Sequence, residues 1–284
     1  MPCIAILGLR GYRAGGPFRE RPTSSARPQP DPRPAVAADG GGSKLAPLSL
    51  AVPAHVPLVV VREAEAMLRT ALTAPLPVPR LGTPAPVAGQ PPVILVHGLM
   101  GHRGQLVPLG RALLAAGAPE VELVGYPAVR PRFEDVVDRI AAAAEPLARR
   151  HGRVDLVGHS LGALAGHAWI KEFGGAPHVG RFVSLGGPHA GTAWHRALPG
   201  ALGRLFDPQG AWVRRLADGE EPVPTTVIRA RFDHQVLPPV RAAIPGAREV
   251  VLQGHGHTGL LFASAVHEAV IAALRRGPEG DGPR

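Results

Sequence analysis

The sequence predicts an α/β fold, with a mostly parallel β-sheet and helices on both of its faces, from Pro92 onward. Two observations lead to this prediction. Short apolar runs alternate with longer segments of amphipathic helical spacing, which is the pattern of repeated strand-helix units. The first run, Val93–Val96, is apolar throughout rather than at every second residue, which is typical of a parallel strand buried on both faces.

Each predicted strand is short and mostly apolar, and the first, Val93–Val96, is bounded by Pro92 and Gly98. The other predicted strands are Val121–Val124, Val154–Val157, Phe182–Leu185, Thr226–Ile228 and Glu249–Leu252. The helices predicted between and after them are Arg103–Ala116, Phe133–Arg150, Leu161–Phe173 and Gly259–Leu274. This strict alternation favours one sheet with crossover helices on each side.

The chain before this domain has a different composition. Residues 1–44 are rich in Pro, Gly and Arg and lack a periodic apolar face, so we expect a disordered tail. Residues 45–91 are expected to be an N-terminal extension with one helix, Arg62–Leu72, that packs on the domain. The apolar residues at helical spacing in it are Ala64, Met67, Leu68, Ala71 and Leu72. The domain itself is expected over 92–276, followed by a flexible tail at 277–284.

The composition excludes several classes of protein. With 45% hydrophobic and 19% charged residues, the 284-residue chain can bury a full-sized core, so a wholly disordered protein is excluded. The sequence contains no uninterrupted apolar run long enough for a transmembrane helix. The single cysteine, Cys3, excludes an internal disulfide framework and a cysteine-based zinc site.

The net charge of +9 comes almost wholly from arginine, since Lys44 and Lys171 are the only lysines. The basic residues are dispersed along the chain, and the aromatic residues that would stack on bases make up only 4%. We therefore expect no nucleic-acid partner.

The strongest local motif is Gly158-His159-Ser160-Leu161-Gly162, which follows a predicted strand and precedes a predicted helix. A nucleophile at a sharp strand-to-helix turn needs small residues two positions on either side, because the backbone folds tightly there. The turn would raise the Ser160 hydroxyl above the sheet and aim the Leu161 N–H group at a developing oxyanion. A chance match is the alternative in a chain with 36 glycines, but the flanking strand and helix favour the nucleophile.

A second glycine-rich segment, His97-Gly98-Leu99-Met100-Gly101, directly follows the first predicted strand. Small side chains let backbone N–H groups approach a ligand closely. The N–H group of Leu99 is therefore the natural second oxyanion donor, opposite that of Leu161. An ordinary glycine turn after a strand is the alternative interpretation.

A serine nucleophile needs a general base, and the base needs an acid that orients it. Among 13 histidines, the candidate bases are His255 and His257, after the last predicted strand. The same pair is also half of a conceivable metal site, but no carboxylate or cysteine set completes it, so we expect no metal. The candidate acid is Asp233, which follows the strand Thr226–Ile228. Weaker candidates in a polar loop before that strand are Asp218, Glu220 and Glu221.

The chain from about Pro92 to Arg275 resembles the α/β-hydrolase superfamily, specifically its bacterial lipase and esterase branch. The four matching motifs, in order, are VILVHGLMG at 93–101, DLVGHSLGA at 155–163, SLGGPHAGT at 184–192 and GHGHTGLL at 254–261. The third resembles the strand-end segment that lines the acyl pocket of lipases. One departure is Ala163, where many relatives carry a second glycine.

The resemblance also selects among the candidate residues. GHGHTGLL resembles the catalytic-histidine loop, and its register selects His257 over His255. RFDHQVLPP at 231–239 is similar to the acid loop, with Asp233 at the acid position. The resulting chain order of Ser160, Asp233 and His257 is the order of the α/β hydrolases.

What the resemblance implies is hydrolysis of a carboxylic ester through an acyl-enzyme, with no cofactor. Ser160 would attack the carbonyl, His257 would take and return the proton, and Asp233 would hold the imidazole. The N–H groups of Leu99 and Leu161 would bind the oxyanion. Residues expected to contact the substrate, a small-molecule ester or lipid, are His97, Gly98, Met100, His159 and Pro188.

The segment Trp194–Val213 lies between two predicted strands and carries several large apolar side chains. We expect it to form a small cap over the site, because insertions over the pocket are common in this fold. A surface helix packed on the sheet is the alternative.

Other functions use the same three residues. Thioester hydrolysis and acyl transfer also proceed through an acyl-enzyme and are alternatives. A catalytically silent binding protein of this fold is a further alternative, but it would be expected to lack one of the three residues.

The sequence carries no convincing secretory signal at Met1, so a cytoplasmic location is the default expectation. The alternatives are export from a later start and peripheral contact of the basic tail with an anionic membrane surface. The oligomeric state is left open.

Overall fold

Six parallel strands form one sheet in the computed structural model, in the order β2-β1-β3-β4-β5-β6. The structure describes residues 56–74, 76–78, 81 and 87–275. The strands are β1 (Val93–Val96), β2 (Val121–Val124), β3 (Val154–His159), β4 (Val179–Leu185), β5 (Thr225–Ala230) and β6 (Arg248–Leu252). The tails expected at 1–44 and 277–284 lie outside the described residues.

Seven α-helices and five short 3-10 helices accompany the sheet in the described part of the chain. The α-helices are α1 (Val56–Thr73), α2 (Val107–Ala115), α3 (Phe133–His151), α4 (Leu161–Glu172), α5 (Gly200–Leu205), α6 (Ala211–Ala217) and α7 (Ser264–Arg275). The 3-10 helices are Arg103–Leu106, Ala176–His178, Ala193–Ala197, Pro239–Ala242 and Thr258–Leu261.

All six predicted strands are present, but two predicted helices were wrong in type at their first turn. The helix predicted over Arg103–Ala116 begins with a 3-10 turn before α2. Pro108 is the second residue of α2, in the first turn, where its missing N–H group removes no hydrogen bond within the helix. The helix predicted over Gly259–Leu274 is a 3-10 turn followed separately by α7. Apolar periodicity does not separate these cases, because 3-10 and α turns place nearly the same residues on one face.

Both faces of the sheet are covered at its central strand β1, as the uniformly apolar run Val93–Val96 predicts. Along β1, Ile94 and Val96 pack into the core beneath α3 and α4, while Val93 and Leu95 pack into the core beneath α2 and α7. All four β1 side chains are at most 2% exposed. The centre of the sheet is therefore a buried layer, whereas the edge strand β6 is partly exposed along its length.

The helix of the N-terminal extension packs on the domain, but through a different face from the one predicted. Met67, Leu68 and Leu72 are all more than half exposed. Among the α1 side chains that the structure describes, those of residues 58–73, the buried ones are Val59, Glu63 and Ala66. The prediction was wrong because it assigned the domain-facing side of α1 by hydrophobicity alone, and the buried stripe contains a carboxylate.

The sheet topology gathers the loops that carry the candidate residues. The chain moves from β1 outward to β2 and then crosses back to β3, so the winding reverses between β1 and β3. Ligands of open parallel sheets bind at the carboxyl edge near such a reversal. The segments that leave the strands at this edge are 97–101 after β1, Ser160 after β3, 186–189 after β4, 231–236 after β5 and 253–257 after β6.

The segment predicted as a cap divides into two parts. Leu205 and Phe206 are buried in the core beneath α3 and α4, as a helix packed on the domain would be. Trp194, at the start of the segment, is 50% exposed, and its indole N–H group donates to the backbone carbonyl of His234 at 2.7 Å. The role of the segment as a cap stays a prediction.

None of the helices in the described part of the chain is both long enough and apolar enough to cross a membrane.

Candidate active site

Ser160 lies at a strained turn between β3 and α4. Its backbone has φ 53° and ψ −119°, a conformation that residues other than glycine rarely adopt and that costs about 1–3 kcal/mol. The Ser160 N–H group donates to Leu185 O on β4 at 2.9 Å, and its carbonyl accepts from the N–H groups of Ala163 and Leu164. These bonds hold the strained turn in place.

The two glycines of the pentapeptide are required by contacts on either side of this turn. A Cβ atom on Gly158 would lie 2.5 Å from the backbone of Ala163. A Cβ atom on Gly162 would collide with the backbone carbonyl oxygen of His97. The tight turn therefore brings α4 against both β3 and the loop that follows β1.

That loop comes into direct contact with the serine. A Cβ atom on Gly98 would be 2.8 Å from the Cβ atom of Ser160. Leu99 follows in the same loop, and Leu161 is the first residue of α4, where an N–H group has no acceptor within the helix. The structure thus places the two predicted oxyanion donors on segments that meet at Ser160.

His97 fixes this loop from inside the protein. Its side chain is fully buried, and burial lowers its pKa to about 4, so the ring is neutral. Nδ1–H donates to the carbonyl of Gly98 at 2.9 Å, while Nε2 accepts from the Tyr126 N–H group at 3.3 Å. The Tyr126 hydroxyl donates to the carbonyl of His97. Both ring nitrogens are engaged with backbone, so the ring orients the loop, whereas Met100 beside it is 75% exposed.

His257 and Asp233 form a buried pair. The imidazole Nδ1–H group donates to Oδ2 of Asp233 at 2.7 Å, and each side chain is 1% exposed. The N–H groups of Gln235 and Val236 donate to the other carboxylate oxygen, each at 2.8 Å. Burial alone would raise the pKa of Asp233, but His257 and these backbone donors lower it below its usual value. The carboxylate is therefore ionised and fixed in orientation.

The second ring nitrogen of His257, Nε2, is unpaired among the described residues. Nε2 is buried and makes no hydrogen bond with any described residue. A Cβ atom on Gly186 would approach the Nδ1 atom of His257 to 3.3 Å. The preceding residue, Leu185, accepts the N–H group of Ser160. The turn after β4 thus touches both the candidate base and the candidate nucleophile.

His159 and Pro188, both predicted to contact the substrate, are buried. Burial, together with the nearby His257, lowers the pKa of His159 to about 3. The neutral ring donates from Nε2 to the backbone carbonyl of His257 at 3.1 Å, so it supports the histidine loop. Substrate contact by these residues stays a prediction.

The weaker acid candidate Glu221 belongs to a different cluster. It accepts hydrogen bonds from His167 Nε2 and Lys171 Nζ at 3.0–3.1 Å. His167 is linked in turn to His189, and His189 to Ser184. Glu221 therefore serves another buried polar network, and Asp233 is the acid that the structure pairs with His257.

Glu63, which the sequence analysis did not select, reaches the histidine loop from α1. Its Oε1 atom accepts the Thr258 N–H group at 2.7 Å, and its Oε2 atom accepts the Gly259 N–H group at 2.9 Å. The position of Glu63 four residues after Val59 and three before Ala66 is the signal that was available, since the three share one helix face.

A metal site is not formed within the described ranges, where no group of three or more His, Cys, Asp or Glu side chains is arranged to hold an ion.

No protein-family model matches the chain. Among solved structures, it is similar to the mature lipase BlEst2 of Bacillus licheniformis, at 15% identity and a TM-score of 0.54 over 68% of this chain and 95% of that one. It is also similar to lipase B of Aspergillus fumigatus, at 20% identity and a TM-score of 0.55 over 72% of this chain and 57% of that one. At these identities the likeness concerns the fold, and the chain has the α/β-hydrolase fold.

Proposed function

We propose that the protein is a serine hydrolase that cleaves carboxylic esters through an acyl-enzyme. The observation that carries the proposal is the buried His257–Asp233 pair, because it engages Nδ1 of His257 and leaves Nε2 without a hydrogen-bond partner among the described residues. An imidazole held in this tautomer by an ionised carboxylate is a general base for a hydroxyl nucleophile. The similarity of the fold to lipases supports the choice of an ester substrate.

The reaction follows from these positions. The Ser160 Oγ atom attacks the ester carbonyl carbon while its proton passes to Nε2 of His257. The N–H groups of Leu99 and Leu161 stabilise the oxyanion of the tetrahedral intermediate. The intermediate then expels the alkoxide, which takes the proton from Nε2 and leaves as the alcohol, and the acyl group stays on Ser160. Water then attacks the acyl-enzyme by the same route, with Nε2 accepting its proton and returning it to Oγ.

The glycines around the serine give this proposal its steric basis. Gly98 and Gly162 have no room for a side chain, and both lie where the loop after β1 meets the turn at Ser160. Such close backbone approach is what an oxyanion hole made of N–H groups requires. Electrostatic stabilisation of this kind is usually the largest single contribution to the rate of acyl transfer.

Hydrolysis of a p-nitrophenyl ester series from acetate to palmitate, by the wild type and by Ser160→Ala, tests the proposal. We expect hydrolysis by the wild type and loss of at least about 10³-fold in the variant. Ser264→Ala, which alters an exposed serine at the start of α7, is the matched control and should behave like the wild type. Equal activity of the wild type and Ser160→Ala would overturn the proposal. So would a folded wild type that hydrolyses none of the esters in the series.

A further inference from the structure

We infer that Glu63 is a positioning residue for His257, and that helix α1 of the N-terminal extension is thereby part of the catalytic apparatus. The inference rests on the proposed serine-hydrolase function. Glu63 does not touch the reacting atoms. It acts on the backbone that immediately follows the histidine, and so on the direction in which the imidazole points.

The contact is made with the backbone that directly follows His257. His257 directly precedes the 3-10 helix Thr258–Leu261, whose first N–H groups have no partner within the helix. The Glu63 carboxylate accepts two of them, from Thr258 and Gly259, at 2.7 and 2.9 Å. Hydrogen bonds to a carboxylate are about twice as strong as neutral ones, and a bidentate pair also fixes orientation. The peptide units after His257 are therefore held against α1.

The residue type at position 63 argues for this role. Glu63 is 7% exposed and occupies the buried stripe of α1 between Val59 and Ala66. A buried carboxylate costs free energy unless it is hydrogen-bonded, whereas an apolar side chain would pack α1 on the domain without that cost. Among the described residues, the basic side chain that approaches this carboxylate is His234, whose Nδ1 atom lies 3.8 Å from Oε1 of Glu63. The main hydrogen-bond donors to Glu63 are thus the N–H groups of the histidine loop. A carboxylate can accept these bonds, whereas an apolar side chain cannot.

The loop is held on both sides of the histidine. Arg62, the residue before Glu63, donates from Nη1 to the carbonyl of Gly254 at 2.9 Å. Between these two contacts, a Cβ atom on Gly256 would lie only 2.5 Å from Oε2 of Glu63. Two consecutive residues of α1 therefore bind the histidine loop, Arg62 at its start and Glu63 at its end. The absence of a side chain at Gly256 leaves room for the Glu63 carboxylate between these two contacts.

The opposing interpretation is that Glu63 merely attaches α1 to the domain. Both interpretations predict a less stable variant, but they differ in the kinetics. Loss of attachment lowers the amount of folded enzyme. Loss of positioning lowers kcat of the folded enzyme with little change in KM, because the misdirected imidazole affects proton transfer more than ester binding.

The test compares Glu63→Ala and Glu63→Gln with Glu65→Ala, an exposed carboxylate on the same helix, in the full-length protein. The readouts are kcat and KM for p-nitrophenyl butyrate, measured well below each unfolding midpoint. We expect Glu63→Ala to lower kcat by about 10- to 100-fold, as misplacement by an ångström does, with KM within about threefold. The kcat of Glu63→Gln, which keeps one carbonyl acceptor, should lie between those of Glu63→Ala and the wild type. If Glu63→Ala does not fold, the kcat of Glu63→Gln is the test.

A second measurement separates this inference from the proposed function. Amide hydrogen exchange of the peptide that contains 254–262 should be protected in the wild type and faster in both Glu63 variants. Gly256→Ala, which forces the carboxylate out, should reproduce the loss of kcat and add little to Glu63→Ala, because the two act on one contact. Unchanged kcat in folded Glu63 variants, or exchange equal to the wild type, would overturn the inference. Loss of activity only in Ser160→Ala would leave the hydrolase proposal standing.

Discussion

The Nδ1 atom of His257 lies 2.7 Å from the Oδ2 atom of Asp233, although 24 residues separate them in the chain. They come together because β5 and β6 are adjacent and parallel, so the loops that leave the two strands meet at the same edge of the sheet. The contact fixes the proton on Nδ1 and leaves the Nε2 lone pair available for the serine. The tautomer of the proposed base is thus set by a contact that the sheet topology makes possible.

Asp233→Asn tests the importance of that proton. An asparagine can turn its N–H₂ group toward Nδ1 and stabilise the other tautomer, with the proton on Nε2. We expect kcat to fall by on the order of 10⁴-fold with a folded protein, as such a change does in other serine hydrolases. The ester assay measures it, and Asp218→Asn, outside the site, is the control. A loss below about tenfold would mean that Asp233 does not orient the base.

Gly98→Ala tests the contact between the loop after β1 and the serine. The new methyl group would meet the Ser160 Cβ atom at 2.8 Å and the His159 Nδ1 atom at 3.0 Å, so the loop must move. Displacement of one oxyanion donor should lower kcat by about 10²–10³-fold. Gly174→Ala is the control, because its positive φ of 79° costs stability but its surroundings are empty. Full activity in folded Gly98→Ala would contradict the proposed oxyanion hole.

Asp155 should make stability depend on pH in an unusual direction. It is buried at the start of β3, its Oδ1 atom has no partner among the described residues, and burial raises its pKa to about 7 despite Arg181 nearby. The folded state therefore binds more protons than the unfolded state, whose reference pKa is 3.8, and this contribution to stability is lost as the pH rises from about 4 to 7.

Asp155→Asn removes this titration. The free energy of unfolding of the variant, relative to the wild type, should increase between pH 4 and pH 8, by at most about 4 kcal/mol. Chemical denaturation at the two pH values measures it, with Asp138→Asn on the exposed side of α3 as the control. A relative stability that stays constant or decreases with pH would contradict the assignment.

Trp194→Ala tests the predicted cap. A deletion in the segment would also remove the core residues Leu205 and Phe206, so a point substitution is the sharper experiment. If Trp194 covers the acyl chain, kcat/KM should fall by roughly tenfold for the octanoate ester and little for the acetate. Trp194→Phe, which lacks the hydrogen bond to His234 but keeps a ring, should retain most of the preference. Equal losses on both esters would instead assign Trp194 to support of the acid loop.

The sequence predicts the strands well because burial on both faces leaves a signature that depends only on neighbouring residues. Val93–Val96 illustrates it, since all four of its side chains are buried and all four are apolar. The turn at Ser160 can also be recognised from the sequence, because its strained backbone requires glycines two residues before and two residues after the serine. These are local constraints, and local pattern reveals them.

Glu63 shows where this kind of inference stops. Its partners Thr258 and Gly259 are 195 and 196 residues away, and only the docking of α1 brings them together. The apolar pattern of α1 directed attention to Met67 and Leu68, which face solvent. The tertiary position of a single amphipathic helix depends on polar contacts that hydrophobic periodicity does not record.

The most direct test of the account is to identify the residue that acts as the nucleophile. The wild type, treated with a fluorophosphonate, should gain the mass of one phosphonyl group, and peptide mapping should place it on Ser160. Ser160→Ala should gain none, and Asp233→Asn should react far more slowly than the wild type. A single adduct on Ser160 is the result that the account predicts. A folded wild type that stays unlabelled, or is labelled at another residue, would contradict it.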